Sequence, residues 1–165
     1  RLSSEFIVNC HWSIYCENYL EGFHVTFVHK GLSNEINNET YKTEILNGGV
    51  LQYASSRKDS SEVYGLYYWI FPNLMFNFYE WGLSVNIIEP ISKDRTRVRF
   101  LTYPIKDDTK TEQLVSDLKI VELEDQAVVH SVQKGIKSRY YKNGRYSAEY
   151  EKGVHYFHTL LSNYI

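Results

Sequence analysis

Cysteine is nearly absent from this chain. Only Cys10 and Cys16 occur, close together near one end. They supply no disulfide framework, so a reducing, cytoplasmic setting is expected. Long apolar runs are missing too: none could span a bilayer, and no secretory leader is visible. Neither sign of charge dominates, since 18 Lys and Arg stand against 20 Asp and Glu, a formal net charge of -2. That balance argues against a nucleic-acid partner and against an acidic membrane surface. There is no internal repeat, no low-complexity segment and no sign of a second domain boundary. The chain opens on Arg1 rather than Met, and further sequence ahead of it is expected.

What is present fits one domain over 1–165 with a sizeable core, since 43% of the 165 residues are hydrophobic. Aromatics make up 16%, with 15 Tyr, 8 Phe and 3 Trp. This content suits a domain enclosing an apolar cavity, and equally an ordinary core. Residues 2–8 read as a strand end or linker. Ile14, Tyr15, Asn18 and Tyr19 lie near helical spacing, which predicts a short helix over 11–23, with a break by Lys30-Gly31 and a polar loop over 33–40. The period then changes to two. Strands are predicted over 41–55 (with a turn at Asn47-Gly48-Gly49), 63–71, 74–79, 83–89 and 96–103, forming an antiparallel meander. A long amphipathic helix follows over 111–137. A last helix covers 147–164, with Tyr150, Val154, Phe157 and Leu161 as its buried stripe. The class is α+β.

The chemistry concentrates in Glu17-Asn18-Tyr19-Leu20-Glu21-Gly22-Phe23-His24-Val25-Thr26-Phe27-Val28-His29. On a regular helix, Glu21 and His24 share a face. His24 and His29, five apart, do not. They can grip one metal only if the helix ends between them, and the β-branched, aromatic run Val25-Thr26-Phe27-Val28 is a poor helix continuation. The spacing is not the H-E-x-x-H of zinc hydrolases. A third ligand is suggested by the late helix. Leu114, Leu118, Val121, Val128 and Val132 form an apolar stripe, and Asp125 divides its seven-residue step, within about 40° of every other member but Val128, which lies about 60° away. Glu122 and Glu124 fall about 60° and 100° to either side of Asp125, so both are expected to be solvated. A carboxylate on a buried stripe needs a partner. A salt bridge to Lys or Arg is the plain explanation. The other is a metal, because two histidines and one carboxylate make the facial triad of non-haem Fe(II) oxygenases.

At this point the residues resemble a known family. Asn9-Cys10-His11-Trp12-Ser13-Ile14-Tyr15-Cys16-Glu17-Asn18-Tyr19-Leu20-Glu21-Gly22-Phe23-His24, followed by His29, is similar to the N-W-K-x-x-x-[DE]-N-x-x-[DE]-x-Y-H-x-x-x-x-H signature of Rieske non-haem iron oxygenase alpha subunits. Phe71-Pro72-Asn73-Leu74-Met75 and Trp81-Gly82-Leu83-Ser84 resemble the family's mid-domain strands. Glu124-Asp125, with Ser131-Val132-Gln133-Lys134-Gly135 after it, resembles its ligand helix. Gly153-Val154-His155-Tyr156-Phe157-His158 resembles the closing helix of the branch that includes quaternary-amine oxygenases. Departures are Phe23 where Tyr is common, His11 before Trp12, and Ser13 where Lys is frequent.

The resemblance implies a helix-grip fold of the START/Bet v 1-like type, an antiparallel sheet wrapped around a long C-terminal helix. It implies a mononuclear Fe(II) held by His24, His29 and Asp125. Glu21 would be the carboxylate bridging to a Rieske-cluster histidine of a neighbouring subunit, which requires a ring of subunits, usually a homotrimer. Asn18 would support the iron from behind. Ferredoxin and flavin reductase partners are implied in the same way. A [2Fe-2S] Rieske cluster needs C-x-H and C-x-x-H. Neither cysteine here has that spacing, so the cluster is expected in an N-terminal domain outside this chain. His155 and His158 are expected to flank the last helix's stripe rather than bind metal.

Implied chemistry is O2-dependent ring hydroxylation of an aromatic, or N-demethylation or hydroxylation beside nitrogen of a quaternary amine. Tyr67, Trp69, Phe71, Phe76, Phe78 and Trp81 are the candidate cavity wall, of which alternation lets about half face inward. They would hold a quaternary ammonium by cation–π attraction or a flat ring by stacking. The alternative is a non-catalytic helix-grip domain that carries a small ligand without metal.

Overall fold

The computed structural model describes residues 1–106 and 108–164, the side chains at 110 and 111 excepted. Seven strands form one antiparallel sheet: β1 (Leu2–Val8), β2 (Lys42–Leu46), β3 (Gly49–Ser55), β4 (Val63–Ile70), β5 (Leu74–Tyr79), β6 (Gly82–Ser92) and β7 (Arg95–Pro104), in the order β1-β7-β6-β5-β4-β3-β2. β2 to β7 are the predicted meander. Residues 2–8, read as a strand end or linker, form a full edge strand, with Leu2 opposite Thr102 and Val8 opposite Thr96. The Asn47-Gly48-Gly49 turn falls where expected, and Gly48 adopts φ +75°, a conformation glycine reaches without steric cost.

Among the described residues five helices complete the fold: α1 (Trp12–Tyr19), α2 (Val25–Val28), α3 (Lys30–Glu35), α4 (Thr109–Ile136) and α5 (Lys152–Leu161). The expected break at Lys30-Gly31 is corrected. α3 begins there, with His29 at its N-cap, and the segment read as a loop holds the end of α3 and a 3-10 turn at Asn38–Thr40. Gly31 is tolerated because it sits in an open first turn. α5 is shorter than predicted. Tyr150 lies outside it and is exposed, while Gly153, Val154 and Phe157 are buried.

The stripe of α4 is displaced from the one read in the sequence. Glu122, Val129 and Gln133 are buried, whereas Val132 is exposed. Glu122 and Gln133 face inward because each meets a polar partner. Tyr15 Oη donates to Glu122, and Gln133 Oε1 accepts from the His11 backbone N–H at 2.6 Å.

One half of the sheet's inner face is sealed by α1 and α5. Trp69 and Phe157, both fully buried, meet edge to face at 5.2 Å, and Trp12 closes on Phe157 at 5.7 Å. Such pairs add about 0.5–1.5 kcal/mol each beyond area burial. Gly153 permits the approach of α5 to α1, since a Cβ there would lie 2.6 Å from the Leu20 carbonyl oxygen. The other half of the inner face is not sealed. It faces α4 across a cavity.

Candidate metal centre and its cavity

α1 ends at Tyr19, before the first histidine. The chain then turns through Glu21-Gly22-Phe23 into α2, a single turn of helix. His24 stands at its N-cap and His29 at its C-cap. α2 ends at His29, whose φ of -94° and ψ of 77° leave the helix, and that departure lets residues five apart converge. The two Nε2 atoms lie 3.1 Å apart. Asp125 of α4 joins them, its Oδ1 at 3.1 Å from His29 Nε2 and 3.4 Å from His24 Nε2. Each residue offers one ligand atom, and all three atoms lie within 4.8 Å of one another.

Each of the three side chains is held from behind. Glu21 accepts from His24 Nδ1 at 2.5 Å and from the His24 backbone N–H at 3.0 Å. Glu124 accepts from His29 Nδ1 at 2.7 Å. Asn18 Nδ2 donates to Asp125 Oδ1 at 2.7 Å. With both Nδ1 atoms engaged by carboxylates, both Nε2 atoms face the centre, the tautomer that ligation requires. Glu124 was expected in solvent. Its side chain is 37% exposed but is tied to His29, which is 2% exposed.

Charge agrees with geometry. Burial works against ionised Asp125, yet hydrogen bonds from both histidines outweigh it and hold the carboxylate at about 2. Burial lowers His24, yet Asp125 and Glu21 outweigh it and push the imidazole up to about 9. His29 is raised in the same way. The ionisable partners of Asp125 are thus the two histidines, and among the described residues no Lys or Arg pairs with it. A half-buried acid with two converging imidazoles and, among the described residues, no competing side-chain cation fits a divalent metal.

The cavity beside this centre has a volume of about 140 Å³, and Tyr15, Tyr19, Tyr41, Tyr67, Tyr79 and Phe100 supply its aromatic wall. Of the expected wall, Tyr67 lines it; Trp69, Phe71, Phe76, Phe78 and Trp81 do not, and that expectation is corrected. Trp69 lies on the inner face but in the sealed half, against Phe157. Phe71 packs on Trp69 and stacks on Tyr164 at 5.4 Å. Phe76 and Phe78 alternate with the inward Met75, Asn77 and Tyr79, so they stack with each other on the outer face. Trp81 stacks on Tyr79 at 5.0 Å in the hairpin. His155 and His158 lie away from the centre: His158 contacts Glu17 at 3.0 Å, and Tyr146 packs on both rings.

Fold and centre together define a helix-grip domain with a two-histidine, one-carboxylate site. The chain belongs to the family of the ring-hydroxylating alpha subunit catalytic domain, whose model matches residues 2–165. Membership implies a mononuclear iron at the catalytic site. Chloroplastic choline monooxygenase of Arabidopsis thaliana is 34% identical over 169 residues, covering 95% of this chain and 40% of that protein. The carnitine monooxygenase oxygenase subunit of Escherichia coli K12 is 27% identical, covering 98% of this chain and 49% of that protein. The quaternary ammonium Rieske monooxygenase CntA, solved with an inhibitor, superposes with a TM-score of 0.88 at 23% identity, over 99% of this chain and 49% of that one. That likeness bears out the helix-grip expectation. The chain spans less than half the length of these relatives.

Removing Glu124 is the direct check on how His29 is held. Glu124→Ala is expected to weaken metal binding about 10–100-fold without abolishing it, the usual cost of losing a group that orients a ligand. Competition of Fe(II) with a chromophoric chelator reads this. An unchanged affinity would make Glu124 a bystander.

Proposed function

We propose that this domain is the oxygenase centre of a Rieske-type enzyme that oxidises a small quaternary amine, with Fe(II) held by His24, His29 and Asp125. The observation that carries this reading is the convergence of two imidazole Nε2 atoms and one carboxylate oxygen, each fixed by its own hydrogen-bond partner. Three protein ligands on one side leave other positions free, and the metal, when bound, supplies a place to activate O2. The reaction inserts one oxygen atom into a C–H bond beside nitrogen. The second oxygen leaves as water, with two electrons and two protons supplied.

The chain's own residues perform the rest. Five tyrosine rings around the cavity present electron-rich faces suited to a quaternary ammonium. A volume of about 140 Å³ is small beside the ~300 Å³ at which pockets for drug-sized ligands begin. That favours a compact amine over a polycyclic ring. Glu21 holds His24 while its side chain stays 15% exposed, so it can be approached from outside the domain. We assign it the electron route from a cluster histidine of a neighbouring subunit in a trimer, and Asn18 the positioning of Asp125. Both cysteines are free and buried. The cluster is assigned to a domain outside these residues, and a ferredoxin and a flavin reductase to the supply of electrons in the cytoplasm.

The test uses the chain loaded anaerobically with Fe(II), then given a chemical reductant and ¹⁸O2. Choline is expected to stimulate oxygen uptake and to yield ¹⁸O-labelled product. Uptake that ignores choline, with no labelled product, would sink the quaternary-amine reading.

A further inference from the structure

One row of side chains crosses five strands on the inner face. Gln52 of β3 stands opposite Tyr67 of β4, Tyr67 opposite Asn77 of β5, Asn77 opposite Ser84 of β6, and Ser84 opposite Thr102 of β7. All are polar, and Gln52, Asn77, Ser84 and Thr102 are buried. The inner face of such a sheet is ordinarily apolar, so a polar row here needs a hydrogen-bonding reason. Gln52, Tyr67, Asn77 and Ser84 all line the cavity, as does Asn86, two residues along β6.

The amide orientations follow from the bonds. The Ser84 backbone carbonyl can only accept, so Asn77 must turn Nδ2 toward it, at 3.3 Å. The same Nδ2 donates to Asn86 Oδ1 at 3.3 Å, and Ser84 Oγ donates there too, also at 3.3 Å. Tyr19 Oη donates to Asn77 Oδ1 at 2.8 Å and locks the set. Asn86 therefore presents its oxygen to the row. Its Nδ2 is left with no acceptor among the described residues, although the residue is only 8% exposed and borders the cavity. Gln52 repeats the pattern with opposite polarity. Its Nε2 donates to the Tyr19 carbonyl at 2.7 Å, and its Oε1 is buried without a partner.

This row is tied to the metal centre through two consecutive residues of α1. Asn18 bonds Asp125, while Tyr19 bonds Gln52 and Asn77. A molecule in the cavity thus meets the triad on one side and unspent amide groups on the other.

We propose that this polar row is a specificity element, and that Asn86 Nδ2 donates a hydrogen bond to an oxygen carried by the substrate, as in an amino alcohol. The inference rests on the reading that the cavity takes a quaternary amine, and it adds a second functional group to that amine. A ligand without the oxygen would cover this cavity-facing donor without meeting it.

The test uses the metal-free chain, so that binding alone is read. Choline and n-propyltrimethylammonium differ only by a hydroxyl in place of a methyl. Calorimetric titration is expected to show choline bound about 3- to 10-fold more tightly, the worth of one neutral hydrogen bond. Asn86→Leu is expected to erase that preference. Should the variant not fold, the ¹⁵N-labelled wild type carries the test: choline should shift the Asn86 side-chain amide signals, and the propyl compound should not. Equal binding of both cations with an unmoved Asn86 amide overturns the inference and leaves the quaternary-amine reading standing. If neither cation binds but neutral 3,3-dimethylbutan-1-ol does, the amine reading falls and the inference, which rests on it, falls with it. If none of the three binds, both fall.

Discussion

Asp125→Asn is expected to abolish tight Fe(II) uptake while leaving the chain folded. The substitution keeps the side chain's size and an oxygen that can still accept from Asn18 Nδ2. It removes the charge. A neutral amide oxygen is a far poorer ligand than a carboxylate for a divalent cation, and the two imidazoles alone do not make a facial set. The loss should exceed about 100-fold in affinity, beyond the ~10–100-fold assigned to an orienting group such as Glu124. His24→Ala should behave alike by removing a ligand outright. Anaerobic titration, gel filtration and iron analysis are expected to find about one iron per wild-type chain and almost none in either variant.

The same substitution has a cost without metal. The carboxylate held at about 2 and the imidazole raised to about 9 are two sides of one attraction, counted once. Asp125 is depressed, so its share of stability is present above its ordinary value of 3.8 and disappears as pH falls through about 2. His24 is raised, so its share is full below its ordinary 6.5 and disappears as pH rises through about 9. Metal-free Asp125→Asn should therefore be destabilised most between pH 4 and 6.5, by about 2 kcal/mol. Equal iron content in wild type and Asp125→Asn would remove Asp125 from the ligand set and return the site to an ordinary buried ion pair.

The convergence of His24, His29 and Asp125 was legible in the sequence in part. Val25-Thr26-Phe27-Val28 resists a helix by composition, yet it forms α2; the breaks fall between Tyr19 and His24 and at His29, which leaves the helix at its C-cap. Asp125 stood out as an acid on an apolar stripe. The inward turn of Glu122 and Gln133 was not legible, because hydropathy counts only apolar positions and their partners, Tyr15 and the His11 amide, come from α1. The cavity wall was misplaced for another reason. Residues 67–81 are dense in aromatics, and alternation alone does not say which half of the inner face α1 and α5 seal. Trp69 falls in the sealed half and Tyr67 in the open one, two residues away on the same strand. The polar row emerges only when the register of five strands is known, since 15, 10, 7 and 18 residues separate its successive members.

Glu122→Gln is expected to raise stability at pH 8 by about 3 kcal/mol and to leave it nearly unchanged at pH 5. Glu122 is 5% exposed on α4 at the edge of the cavity. Burial pushes its carboxyl from 4.5 up to about 7; hydrogen bonds from Tyr15 and Gln126 hold it back in part, and the Asp125 charge adds to the rise. The folded chain therefore keeps a proton that the unfolded chain releases between pH 4.5 and 7. Stability falls as pH rises through that window, and above it the full penalty remains, roughly 3 kcal/mol. Glutamine carries no charge to bury, and its oxygen can still accept from Tyr15 or from Gln126 Nε2, which lies 2.9 Å from the present Oε1. The contributions of Asp125 and the histidines are shared by both proteins and cancel in the difference. Urea unfolding of each protein at several values between pH 5 and 8 would show two curves diverging upward from pH 5. Curves that run parallel would mean that Glu122 is ionised throughout and that its burial is offset by solvent. A second comparison ties the residue to the centre. A divalent cation beside Asp125 would favour the ionised form of Glu122, so the gain from Glu122→Gln should shrink once iron is loaded. A gain that is the same with and without iron would place the bound metal outside the electrostatic reach of Glu122, and so away from Asp125.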